Sequence, residues 1–260
     1  MMRAKFHPSF GEANMNVSFL TGALPLAGVL WAFNISDPVG KIIVVVLIFA
    51  SVFAWSIMAA KYLELRKVGR ADANFMRDFD QQHNPLEMFV RGPVHHDSPM
   101  AKVYAAACLA VKREFETRAQ KQQRPLSQID LSQERLTALQ IDAIRKVAEC
   151  AVADQILLLE TQMSMLGSTY TIAPMLGLFG TVWGISVSFE QMAKQGSANL
   201  SEAAPGISSA LLTTIVGLLV AIPSAFGCNK LNDQIRFLSI QLENFTEKFA
   251  TRLQQSFVYE

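Results

Sequence analysis

Along the chain, apolar residues are gathered into long uncharged runs separated by mixed polar segments. The run Ile42 to Ala60, IIVVVLIFASVFAWSIMAA, carries no charge. As a helix rising about 1.5 Å per residue it is long enough to cross a hydrocarbon layer about 30 Å thick. Met163 to Phe189 and Ala203 to Asn229 are equally free of charge. Both are rich in glycine and proline: Gly167, Pro174, Gly177, Gly180 and Gly184 in the first, Pro205, Gly206, Gly217, Pro223 and Gly227 in the second. Three such runs rarely coexist in a soluble chain. They predict an all-α integral membrane protein with three transmembrane helices, at 39–60, 163–189 and 205–228, and long helical extensions outside the membrane. A further apolar stretch, Val17 to Ile35, is weakened by Gly22, Pro25 and Gly28, and Arg3 and Lys5 precede it. It is compatible with an interfacial or re-entrant segment, an export signal, or a fourth span.

Lys61, Arg66, Lys67 and Arg70 follow the first run closely, whereas its leading flank offers only Asp37 and Lys41. The excess of cations places the end of that span in the cytoplasm. The expected plan is a periplasmic or interfacial segment at 1–38, a cytoplasmic helical region at 61–160, a periplasmic link at 190–202 and a cytoplasmic carboxyl-terminal helix at 229–260. Asn84-Pro85, Arg91-Gly92-Pro93, Ser98-Pro99 and the segment Lys121 to Pro125 divide the cytoplasmic region into shorter helices. From Asp130 onward Leu131, Ile141, Ile144, Val147, Ala151, Ile156 and Leu159 recur among polar residues without proline, which predicts one helix running straight into the second span. In the tail, Leu231, Ile235, Leu238, Leu242, Phe245, Phe249 and Leu253 recur at spacings of three and four. That stripe packs against the long cytoplasmic helix, in the same chain or in a neighbour.

Composition narrows the chemistry. Lys and Arg number 23 against 22 Asp and Glu, so no global basic field advertises nucleic acid as a partner. Cys108, Cys150 and Cys228 lack metal-ligand spacing and read as ordinary small apolar residues, and His95-His96-Asp97 reads as a polar turn rather than a metal site. No phosphate-binding loop, dinucleotide fingerprint or nucleophile elbow is present, so neither an enzyme activity nor a cofactor is expected.

The second and third runs carry small residues at helical spacing. Gly177, Gly180, Thr181 and Gly184 share a broad face, and Ala210, Thr214, Gly217, Ala221 and Ser224 recur every three or four residues. Small side chains let helix backbones approach where water supplies no driving force, so these faces are packing seams. Thr181, Thr213 and Thr214 place hydroxyls at membrane depth. Each either bonds the carbonyl one turn back or faces a cavity holding water or a partner's ionisable group. Neither run contains Asp, Glu, His, Lys or Arg, so a proton path here needs a carboxylate donated by a second protein.

The segment Ile172-Ala-Pro-Met-Leu-Gly-Leu-Phe-Gly-Thr-Val-Trp-Gly-Ile185 and the segment Pro205-Gly-Ile-Ser-Ser-Ala-Leu-Leu-Thr-Thr-Ile-Val-Gly-Leu-Leu-Val-Ala-Ile-Pro223, with Asn229 after it, resemble the two membrane motifs of the TolQ and ExbB proteins and, more distantly, the MotA stator subunits. The resemblance runs from about Val39 to the end, is loose in the cytoplasmic insert and does not cover the first 35 residues. The tail through Phe249 and Phe257 is similar to the TolQ type. What the resemblance implies is a homopentamer of three-span subunits around a central pore in the bacterial inner membrane. The pore would hold two single-span TolR or ExbD partners, each with a membrane aspartate, and TolA or TonB would be a further partner. It also implies pore-lining roles for Thr181 and Thr214, with Gly177, Gly184, Ser209, Ala210 and Gly217 beside them, and packing roles for Gly180, Pro174 and Pro223. A buried aspartate in low dielectric has a raised pKa and can take up and release a proton as its surroundings alternate. One departure stands out: Ser209 occupies a position that is glutamate in several relatives, with Ser208 and Ser209 as candidate substitute water ligands. The implied function is conversion of proton motive force into envelope work of the TolQ type, or into TonB-dependent import of the ExbB type. A scaffold that uses the small-residue faces only for assembly is the reading from another class.

Overall fold

A computed structural model of the chain describes residues 33–34, 36–91, 98–121, 135–195 and 200–257, whose regular structure is helical throughout. In chain order the helices are α1, Pro38–Asp80; α2, Glu87–Arg91; α3, Pro99–Lys121; α4, Ala138–Glu160; α5, Met163–Gln195; and α6, Leu200–Phe257. Helices α1, α5 and α6 carry the three uncharged runs and are long and apolar enough to cross a membrane. Large apolar side chains stand exposed along them, among them Phe49, Met175 and Phe226. Water would penalise such faces, whereas lipid accepts them as long as each backbone polar group is satisfied inside its helix. Among the described residues, the predicted all-α class with three helices long enough to span is therefore the class observed. The stretch Val17–Ile35, apart from 33–34, and the His95-His96-Asp97 turn lie outside the described residues.

By internal contact the chain divides into two units, Met1–Leu47 with Pro174–Leu218 and Ile48–Ala173 with Leu219–Glu260. The second unit is built on the tail stripe. All seven predicted stripe residues are buried, and so is Phe257. Leu242, Phe245, Phe249 and Leu253 enter one core with Phe75 and Phe79 of α1, Tyr104 of α3 and Ile141 and Ile144 of α4. Phe79 meets Phe245 edge to face at 5.2 Å and Tyr104 meets Phe249 at 5.6 Å. Such aromatic pairs add about 0.5–1.5 kcal/mol each beyond their area burial. Arg252 lies over the Phe79 ring at 4.6 Å and donates to the Phe79 carbonyl and to Asp80. The amino-terminal half of the stripe, Leu231, Ile235 and Leu238, packs with Ala54, Ile57, Met58, Leu65, Leu159 and Leu166. Of the two partners left open for the stripe, the same chain supplies the contact.

Helix starts follow their sequence signals. Asp37-Pro38 opens α1, with the Lys41 N–H donating to the Asp37 carbonyl at 3.0 Å. Ser98-Pro99 opens α3, where Ser98 Oγ accepts from the Ala101 N–H, and Asp72 Oδ1 accepts from both Ser98 Oγ (2.5 Å) and the Met100 N–H (3.1 Å). A buried carboxylate from α1 thus completes the cap of α3. Thr137 and Gln140 form a reciprocal capping box at the start of α4.

One expectation needs correction. The single helix predicted from Asp130 into the second span is broken: α4 ends at Glu160, the Thr161 N–H donates to the Leu158 carbonyl, and Gln162 takes φ 72° before α5 restarts at Met163. No glycine or proline marks this left-handed residue, so spacing alone could not reveal it. On α4 the buried stripe runs through Ile141, Ile144, Ala148, Val152 and Leu159, while Val147 is exposed. Ala148 enters the same core cluster as the aromatic residues.

The cysteines also divide by environment. Cys108 and Cys228 are buried as expected of small apolar residues, whereas Cys150 is exposed. Burial pushes the Cys108 thiol up to about 12, which removes the reactive thiolate near neutral pH. Maleimide labelling of the detergent-solubilised chain at pH 7 is expected to modify Cys150 and spare Cys108, read by peptide mass spectrometry. Labelling of Cys108 at a comparable rate without denaturant would contradict this packing.

Candidate functional site

Within the first unit, α5 and α6 meet along a seam of small residues. The α5 side presents Gly177, Gly180, Thr181 and Gly184, all buried, and the α6 side presents Ser209, Ala210, Thr213 and Gly217, also buried. A Cβ at Gly177 would lie 2.9 Å from both the Thr213 carbonyl oxygen and the Thr214 Cα, backbone atoms that no side-chain rotation can move. At Gly180 it would lie 2.5 Å from Thr213 Oγ1, and at Gly184 2.7 Å from the Ala210 Cβ. Three glycines one turn apart thus admit the α6 backbone, its threonine and its alanine in succession.

The hydroxyls on the seam have different fates. Thr181 Oγ1 donates to the Leu178 carbonyl at 2.6 Å. Thr213 Oγ1 lies 2.7 Å from the Ala210 carbonyl and 3.0 Å from the Gly177 carbonyl of α5, so its proton is shared between its own helix and the facing one. Ser209 Oγ donates to the Gly206 carbonyl, and Ser188 Oγ to the Gly184 carbonyl, with Ser188 seated directly against Gly206. Thr214 Oγ1 alone among these hydroxyls is buried without a hydrogen-bond partner. An unpaired buried hydroxyl costs about 1–3 kcal/mol. It is the one group on the seam with both a donor and an acceptor to offer.

Of the residues singled out in the sequence, Gly177, Gly180 and Gly184 are brought together with Ala210, Thr213 and Thr214. Thr181 and Ser209 sit on the same seam with their hydroxyls turned to their own helices. Pro174 lies one turn before Gly177 and Pro223 lies in α6 beyond Gly217; each withholds an N–H from its helix. Sequence reasoning noted the Thr213 hydroxyl but not its bridge to Gly177, and it missed Ser188. The signal for both was present: a hydroxyl residue opposite a glycine in a pair of uncharged helices.

The seam residues of both helices fall within residues 109–244, which match the profile of the MotA/TolQ/ExbB proton channel family over more than half of the chain. The chain belongs to this family. It is similar to the Tol-Pal system protein TolQ of Haemophilus influenzae, 37% identical over 95 residues, which are 36% of this chain and 42% of the relative. It is 32% identical over 113 residues to TolQ of Pseudomonas aeruginosa, covering 44% of this chain and 49% of the relative. With the biopolymer transport protein ExbB of Neisseria meningitidis it shares 28% identity over 226 residues, 85% of this chain and 94% of that protein. The matched part spans less than half the length of the two TolQ relatives. Membership in this family agrees with the three helices among the described residues that are long and apolar enough to cross a membrane.

The seam yields a direct test of packing. Gly177→Ala is expected to destabilise the solubilised protein by about 1–3 kcal/mol, the usual cost of overpacking. Gly167→Ala, whose nearest neighbour would be Tyr170 at 4.0 Å, is expected to be neutral or slightly stabilising. Thermal unfolding in one detergent compares the two, and equal melting temperatures would contradict a close-packed seam at Gly177.

Proposed function

We propose that this chain is the proton-channel subunit of an inner-membrane motor of the TolQ type, working with a TolR-type single-span partner and coupling proton motive force to work on the envelope. The observation that carries the reading is Thr214 Oγ1, a buried hydroxyl without a partner on a seam formed by two runs, Met163 to Phe189 and Ala203 to Asn229, that contain no Asp, Glu, His, Lys or Arg. A proton relay needs a group that titrates. On this reading the partner helix brings a carboxylate, and Thr214, with Thr181 close by on the other seam helix, supplies hydroxyls that accept from its protonated form and donate to its ionised form. A hydroxyl can do both because it carries one proton and two lone pairs. The glycines then serve to hold the two helices at a fixed separation, so that Gly177, Gly184, Ser209, Ala210 and Gly217 shape the lining while the threonines contact the carrier. Five copies around two partner helices, with the amino-terminal side periplasmic and the carboxyl terminus cytoplasmic, are the arrangement this reading adopts from the family resemblance, with TolA as a further contact. The cations after the first span support that orientation.

A second reading, an ExbB-type subunit that powers TonB-dependent import, is favoured by the longer alignment with the Neisseria ExbB protein. The higher identities to two TolQ proteins support the first. Both assign the same task to the seam and differ in the partner downstream.

Valine matches threonine in shape and removes the hydroxyl. In vesicles containing the chain with its single-span partner, Thr214→Val is expected to reduce proton flux by about tenfold or more, the effect of losing about 1.4 kcal/mol at the barrier. The complex mass by native mass spectrometry is expected to be unchanged. Unaltered flux in both Thr214→Val and Thr181→Val would contradict a role for these hydroxyls in the proton path, and absence of flux from the unaltered complex would favour a scaffold that uses the seam only for assembly.

A further inference from the structure

Away from the seam, the second unit contains a cavity of about 880 Å³ whose walls come from α1, α3 and α4 and from the break before α5. Its charged lining is one-sided: Lys61, Lys67, Arg70 and Lys102 against a single carboxylate, Glu64. The buried ammonium of Lys61 pairs with Glu64 at 2.9 Å, so these two compensate each other. Lys67, Arg70 and Lys102 form no ion pair among the described residues. Three uncompensated cations converging on one cavity repel each other and are relieved by a bound anion.

Position indicates which anion. The cations after a membrane span are commonly a topology signal, and such a signal can sit anywhere around its helix. Lys102 is not part of that signal, because it arrives on α3 from a distant stretch of sequence and still lines the same cavity. The cavity also lies where one apolar run ends and another begins. On α1, Phe53 and Ala60 precede Lys67 at heptad spacing and are exposed, and on α5 the exposed Met165 follows the cavity residue Gln162 by one turn. An anion that is soluble makes no use of this adjoining apolar strip. An anion carrying hydrocarbon does.

We propose that this cavity binds the phosphate headgroup of an anionic phospholipid, with Lys67, Arg70 and Lys102 around the phosphate and the acyl chains lying along the Phe53 and Met165 surfaces. Arg offers a forked pair of donors to phosphate oxygens, and the lysines act as point charges beside it. The break at Gln162 contributes by opening the wall between α4 and α5, which a continuous helix would close. The site is distinct from the threonine seam and does not depend on how protons are carried.

The test uses the full chain purified in a neutral detergent and mixed with equal amounts of phosphatidylglycerol and phosphatidylcholine, with retained lipid counted by native mass spectrometry. The native chain is expected to favour phosphatidylglycerol by about tenfold or more, given the attraction of each basic residue to an anionic lipid. Substituting Lys67→Gln, Arg70→Gln and Lys102→Gln together is expected to bring the ratio close to parity. Substituting Arg66→Gln and Lys230→Gln, which line a different groove of the same unit, is expected to leave it unchanged. Circular dichroism identifies variants that have kept their helices. Equal retention of the two lipids by the native chain overturns the proposal, as does an unchanged preference in the folded triple variant or an equal loss in the control variant. Displacement of phosphatidylglycerol by excess glycerol phosphate overturns the lipid as the ligand and assigns the cavity to a soluble phosphate.

Discussion

The constraint on which the membrane part of this chain depends is close approach of two helix backbones in a medium that offers no hydrophobic drive for it. Lipid tails are as apolar as leucine, so α5 and α6 gain nothing by hiding apolar surface from them. What remains is dispersion at short range and the occasional hydrogen bond. Gly177, Gly180 and Gly184 supply the short range, since at each a single methyl group would meet backbone or side-chain atoms of α6 at under 3 Å. Thr213 supplies the bond, reaching the Gly177 carbonyl across the seam. Thr214, next to it in the chain, keeps a buried hydroxyl without a partner.

The second unit is held by different physics. Its core is aromatic and dense, with Phe75, Phe79, Tyr104, Phe245 and Phe249 in mutual contact and almost wholly buried. Tyr104 is there because its hydroxyl is satisfied: it donates to the Pro85 carbonyl and accepts from the Phe89 N–H. Burial raises the phenol well above its ordinary range, so it stays neutral and keeps both bonds. Asp72 is satisfied at one oxygen only: Oδ1 accepts from Ser98 and Met100 at the start of α3, while Oδ2 is buried without a partner. Seam and core divide the work, one by omitting side chains and the other by filling space with large ones.

Much of this was legible in the sequence because the signals were redundant. The tail stripe repeats over seven residues, and each one is buried; the three uncharged runs leave little choice of class. Signals resting on a single residue were weaker. Val147 suited the apolar pattern of α4 but faces outward, because the aromatic core leaves space for Ala148 and Val152 instead. The turn at Gln162 was invisible, since glutamine carries no conformational preference for the left-handed region and no glycine stands beside it. At the seam the glycines announced close packing, and their spacing gave the face. Which threonine would be bonded and which left over depends on rotamers and on the facing carbonyl, which sequence spacing does not encode.

The central proposal is that this chain shapes a proton path to which its uncharged runs contribute no Asp, Glu, His, Lys or Arg, and that the carboxylate comes from a partner helix. The most direct measurement is proton flux under an imposed potential into vesicles holding either the chain alone or the chain with its single-span partner. The account predicts flux only when the partner is present, and loss of that flux when the partner's membrane carboxylate is replaced by its amide. Equal flux from the chain alone would contradict it.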